Sequence, residues 1–226
     1  MVLGEGDRDQ AFINALCCDR QINDLAVGFV GGNSNFGQYL EGISALPKFS
    51  QCKSILLVSD NDESAQEAFD TIREQLQEID FPLPSKPLEM AKKRDYPSLA
   101  VMMLPYPTPN PDSRGALETM LIPAMKDSHP TQAACLETML ACAGVSNWSK
   151  KSSQDKAFVR CLISSVWEND PMHGLAFCFA PQKNLIPVSH TCFDEVAQIL
   201  KSFVAWSDSA EKSWSSWHDK NEKIET

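Results

Sequence analysis

The stretch SILLVSDND, residues 54–62, decides the fold. Its first part is continuously aliphatic and is bounded by polar residues. A run that is apolar at every position reads as a strand buried on both faces, which is the habit of a parallel sheet. Its last part, Ser59-Asp60-Asn61-Asp62, turns acidic where the strand ends. Upstream, MVL is a short apolar start, and RDQAFINALCC (8–18) has helical spacing, with Phe12, Ala15 and Leu16 on one side. LAVGFV (25–30) is a second apolar β-run, ending in Gly31-Gly32. NFGQYLEGISAL (35–46) is helical again, with Phe36, Tyr39, Leu40 and Ile43 in register. Downstream, ESAQEAFDTIREQLQEI (63–79) is an acidic amphipathic helix, and SLAVMMLP (98–105) is an apolar run stopped by proline. Alternating strands and helices predict an α/β fold, a parallel sheet with helices on both faces. Such sheets carry their sites at the carboxyl ends of the strands.

Two Pro-rich breaks, FPLPSKP (81–87) and PYPTPNP (105–111), read as extended loops. Beyond them the chain is mainly helical, over 115–125, 132–143, 154–167 and 192–206. The segment from 207 to 226 is polar, a tail or fraying helix. Trp206, Trp214 and Trp217 near it pack as ordinary helix residues or form a sticky face. This organisation predicts an α/β core over 1–126, a helical extension over 127–206 that completes the same domain, and a polar tail over 207–226.

The composition, 43% hydrophobic and 22% charged over 226 residues, is that of a globular chain. No apolar run reaches the ~18 residues of a membrane span. The acidic start lacks the basic and apolar regions of a secretory signal. Eight cysteines without a CxxC pair read as small buried thiols in a reducing cytoplasm. His190 and Cys192 find nothing nearby to complete a zinc set. The net charge of −10 weighs against a chain that holds long nucleic acid unaided, because phosphates want Lys and Arg.

Glu5 follows the first strand, and Asp60 and Asp62 end the third. In an extended Asp-x-Asp the two side chains point the same way, so the three carboxylates converge if the strands are neighbours. Crowded carboxylates resist ionising unless a cation joins them. A hard divalent ion with oxygen ligands resolves the crowding and can activate water against a phosphodiester. Gly31-Gly32-Asn33 offers either backbone amides to a phosphate or a tight β–α turn. No GxxxxGK[ST] occurs, so the chain is not itself a P-loop ATPase.

The pair Glu5-Gly6 and Asp60-Asn61-Asp62 resembles the two hallmarks of the TOPRIM domain. That domain is shared by primases, type IA and type II topoisomerases and OLD-family nucleases. Within it, the chain is similar over about 2–206 to small stand-alone TOPRIM-like proteins related to the OLD nucleases. EGDRD (5–9) places Asp9 one helical turn after Glu5. VGGNSNFGQYL (30–40) resembles the Gly-Gly-polar-Asn segment, GALETML (115–121) the Gly-x-Leu-Glu motif with Glu118, and DKAFVRCLIS (155–164) a late helix with Lys156.

The resemblance implies a TOPRIM (Rossmann-like) fold and one or two Mg²⁺ or Mn²⁺ ions held by Glu5, Asp9, Asp60, Asp62 and Glu118. Glu5 is then a ligand or general base and Lys156 the cation at the scissile phosphate. The implied activity is a metal-dependent nuclease acting on DNA or RNA. The alternative is a non-catalytic or regulatory subunit that works with a partner such as an ATPase, or as a homo-oligomer. No zinc ribbon and no topoisomerase tyrosine module accompanies the motif, which favours hydrolysis over primer synthesis or strand passage. A haloacid-dehalogenase-like phosphatase is disfavoured, since its DxDx[TV] belongs on the first strand.

Overall fold

The computed structural model describes residues 1–107, 113–168, 174–179 and 185–208. Among these, β1 (Val2–Gly4), β2 (Val27–Phe29), β3 (Ser54–Asp60) and β4 (Ser98–Leu104) form one sheet in the order β2-β1-β3-β4. Every pairing is parallel. The aliphatic run 54–60 is β3 and lies in the sheet interior. Its side chains alternate between two cores, as a strand with a two-residue period must. Leu56 and Val58 join Val2, Ala100, Met102 and Leu104 on one face, while Ile55 and Leu57 join Leu3, Leu99, Val101 and Met103 on the other.

The helices divide by connection. After β1 the chain steps through α1 (Asp7–Asp19) to β2. It then crosses back through α2 (Phe36–Ser44) to β3, and onward through α3 (Ala65–Glu78) to β4. Right-handed crossovers taken in opposite directions put their helices on opposite faces. Accordingly α1 packs on the Leu56–Val58 face, and α2 and α3 on the Ile55–Leu57 face. The direction of winding reverses between β1 and β3. The helical second half comprises α4 (Leu117–Ser128), α5 (Pro130–Cys142), α6 (Lys151–Val166), α7 (Leu175–Cys178) and α8 (Asp194–Asp208). All of it stacks on the α1 side. Phe12 of α1 sits at the centre, its ring 5.7 Å from Phe179 and 5.3 Å from Phe193.

Several details differ from the sequence expectation. The strand expected over 25–30 is reduced to Val27–Phe29, because β1 offers only three residues to pair with before the chain turns at Gly31. The short helix α7 has too few residues to show a period. Of the eight cysteines only Cys17 and Cys178 are buried; Cys18, Cys135 and Cys142 are exposed on helix surfaces. Adjacent residues on a helix point about 100° apart, so Cys17 and Cys18 cannot both face the core. Trp206 packs partly against the core, with the Lys92 ammonium 5.6 Å from its ring centre. Trp214, Trp217, residues 108–111 of the second Pro-rich stretch and the tail from 209 lie outside the described residues. No described helix is long and apolar enough to cross a membrane.

Candidate active site

Register brings the acidic residues together. Gly4 of β1 pairs with Val58 of β3, so the next residue on each, Glu5 and Ser59, lie side by side. Asp60 follows at the very end of β3. Both carboxylates emerge where the winding reverses, the usual ligand crevice of an open α/β sheet. There they line a cavity of about 190 Å³ together with Asp7, Arg8, Asp9, Glu118 and Lys156.

Each side chain is aimed by a neighbour. The Ser59 hydroxyl donates to Glu5 Oε2 at 3.0 Å. The Gly6 amide donates to Asp9 Oδ2 at 2.7 Å, fixing Asp9 in the first turn of α1. The Leu117 amide, at the start of α4, donates to Asp60 Oδ1 at 2.8 Å. A helix N-terminus favours such an anionic partner. Arg8 Nη1 contacts Glu118 Oε1 at 3.3 Å, where the Glu118 side chain is 4% exposed and that of Arg8 41%.

The segment Gly115-Ala116-Leu117-Glu118 therefore acts residue by residue. The Gly115 amide donates to the Asp62 carbonyl at 2.7 Å, the Ala116 amide to Thr119 Oγ1 at 3.1 Å, and Leu117 holds Asp60, while Glu118 enters the cavity. Behind it, buried Asp155 accepts from Thr119 Oγ1 at 2.6 Å and from Lys151. The Ser152 hydroxyl donates to Glu63 at 3.2 Å. These contacts dock α6 on α4 and on the loop after β3, and so bring Lys156 to the cavity.

Electrostatics follow from the crowding. Burial raises the Glu5 carboxyl above its ordinary range; the Asp62 charge adds to this, and the Ser59 bond and Lys156 oppose it. Burial, helped by Glu5 and Glu118, pushes Asp9 up to about 7. Asp60 is raised well above the ordinary carboxylate range by burial first, then by Asp9, Glu5 and Glu118. Oxygen donors that repel one another in this way are the chemistry a hard divalent cation matches. As placed, no three His, Cys, Asp or Glu side chains among the described residues stand close enough to enclose an ion. Glu5, Asp9, Asp60 and Glu118 are instead each held by a protein hydrogen bond or ion pair.

Two expectations change. Asp62 has a φ of 46°, so the chain turns after Asn61 and Asp60 and Asp62 are not the alternating pair of an extended strand. Asp62 does not line the cavity; its charge reaches it through Glu5. Gly31, Gly32 and Asn33 do not line it either. The Gly31 and Gly32 amides donate to the Glu5 carbonyl at 3.0 and 2.9 Å, and Asn33 accepts from Gln75 at 2.8 Å. With φ of 87° and 132°, the two glycines form a tight turn that cradles the Glu5 backbone.

Sequence reasoning missed Arg8, Ser59 and Asp155. The fully buried Asn61 is also new: its side-chain amide has no hydrogen-bond partner among the described residues. Leaving such a group unpaired costs about 1–3 kcal/mol. No curated protein and no solved structure matches the chain. A family model described as a protein of unknown function, DUF3226, matches residues 1–208. The chain is a member of the DUF3226 family.

Proposed function

We propose that the cavity is a TOPRIM-type site that hydrolyses nucleic-acid phosphodiester bonds with Mg²⁺ or Mn²⁺. The observation that carries this reading is the meeting of Glu5, Asp9, Asp60 and Glu118 with two cations, Arg8 and Lys156, in one cavity at the winding reversal of a parallel sheet. Glu5, Asp9, Asp60 and Glu118 are the residues to hold the ion, with Asp62 adding charge behind Glu5. A bound divalent ion supplies an acidified water and neutralises charge on a phosphoryl oxygen. Asp60 is oriented for its part by Leu117, and Asp9 by Gly6. Glu5, whose proton affinity burial has raised, is suited to take a proton from an attacking water. Lys156 faces the same cavity and offsets charge developing on the phosphate.

The test is cleavage of labelled single- and double-stranded DNA and RNA with Mn²⁺ or Mg²⁺. Asp60→Asn keeps a hydrogen-bond acceptor for Leu117 but loses the charge, and cleavage should fall by roughly 10²–10³-fold. Equal cleavage by wild type and variant removes the reading. The second reading, a non-catalytic subunit that acts with a partner such as an ATPase, is favoured by the net charge of −10. It expects an inert protein that retains metal binding and co-purifies with that partner.

A further inference from the structure

The cavity contains a cation whose place the helix does not explain. Arg8 lies in the first turn of α1. A positive side chain there opposes the helix dipole, which favours anions at that end. Among the described residues its one charged contact of bonding length is with Glu118, 110 residues away in sequence. That contact is lopsided. Glu118 is buried and needs a counter-charge, since an unpaired buried carboxylate is costly. Arg8 is half-exposed on the rim and reaches it through one nitrogen at 3.3 Å. Strong guanidinium–carboxylate pairs are bidentate and about 2.7–2.9 Å long. The pair therefore neutralises Glu118 with little geometric commitment. Of the described residues lining the cavity only Arg8 and Lys156 are cationic, against five carboxylates. An anionic phosphodiester entering this space has those two groups to meet.

We infer that Arg8 is an ion-gated phosphate anchor. In the ion-free protein it pairs with Glu118; once a divalent cation occupies the carboxylates, Arg8 is released to grip the substrate phosphate beside Lys156. The inference rests on the metal-dependent reading of the site and adds to it the group that couples ion binding to substrate binding. The planar fork of Arg8 matches the two non-bridging oxygens of a phosphodiester, and the first turn of α1 places it at the cavity.

Mn²⁺ titration followed by electron paramagnetic resonance, on the full chain, reads the first half. Arg8→Gln removes the competitor for Glu118 and should tighten Mn²⁺ binding by about two- to fivefold, the scale of one partly exposed ion pair. The tightening should vanish in a Glu118→Gln background, which a general loss of positive charge would not produce. Arg8→Lys, the milder variant should Arg8→Gln fail to fold, should lie between. Fluorescence anisotropy with a short phosphorothioate oligonucleotide reads the second half. With Mn²⁺ present, Arg8→Gln should weaken binding by about two- to fivefold; without Mn²⁺ the two proteins should bind alike.

If Asp60→Asn lowers Mn²⁺ affinity while Arg8→Gln leaves it unchanged, the gate is wrong and the metal site stands. Tightened Mn²⁺ binding with unaltered oligonucleotide binding overturns the anchor. If neither wild type nor Arg8→Gln binds Mn²⁺, the metal reading falls and the gate with it.

Discussion

At the scale of single residues, Asp9 carries a consequence for stability. Its carboxyl is raised to about 7 in the fold, against an ordinary value near 3.8, with burial as the main cause. The folded protein therefore keeps this proton to higher pH than the unfolded chain does. The contribution of Asp9 to stability is whole below about pH 4, is lost as pH rises toward 7, and stays lost above it. The ion-free protein should accordingly melt at a lower temperature at pH 8 than at pH 5. Asp9→Asn, which can still accept from the Gly6 amide, should flatten the difference. A thermal melt of Asp9→Asn at pH 8 no higher than wild type would contradict the assignment.

Glu5, Asp9, Asp60, Glu118 and Lys156 were legible in the sequence because each sits at a recognisable place: a strand end, a first helical turn or a motif. Arg8 was not, since a charged residue at a helix start looks like a solvated one until its partner 110 positions away is seen. Ser59 was overlooked because its partner, Glu5, lies on another strand. The turn at Asp62 is not legible for a local reason. Nothing in DND announces a left-handed residue, though Asp tolerates that conformation better than most.

At the scale of elements, α4 governs the site. Its N-terminus holds Asp60, and Gly115 sets its start. Gly115 has a φ of 124°, and an added Cβ would lie 2.3 Å from Thr119 Oγ1. Gly115→Ala should therefore cost roughly 1–3 kcal/mol and displace the Leu117 amide. Gly42, in α2, has nothing within 4 Å of an added Cβ. Gly42→Ala should be neutral or stabilise by about 0.5–1 kcal/mol. Urea denaturation of both variants reads the contrast. Strand β3 was legible from its unbroken apolar run, and the long helices because their periods run over many residues. The three-residue β2 was overextended because its length is set by its partner β1, a tertiary fact.

At the scale of the whole molecule, the opposing features are a net charge of −10 and a cavity with two cations. If nucleic acid binds through Arg8 and Lys156 alone, binding should weaken only gently with salt. Two phosphate contacts give a slope of roughly −1.4 to −1.8 in log affinity against log salt concentration. A much steeper slope, measured with Mn²⁺ held constant, would reveal a further basic surface or a partner that supplies one. The doubly wound topology was readable as a class from alternating apolar strands and helices. The strand order that places the winding reversal beside Glu5 and Asp60 was not, because it depends on which strands pair.

The cavity is assembled from four stretches far apart in the chain: residues 5–9, Asp60, residues 117–118 and Lys156. A ribosome adds about 5–20 residues per second. The interval between the synthesis of Glu5 and that of Lys156 is thus roughly 8–30 seconds. Throughout it the emerging chain carries carboxylates without the α6 lysine that completes their surroundings. The order of the parts along the gene is therefore also a schedule: the sheet and its acids come first, and the last cation arrives only when α6 can close on α4.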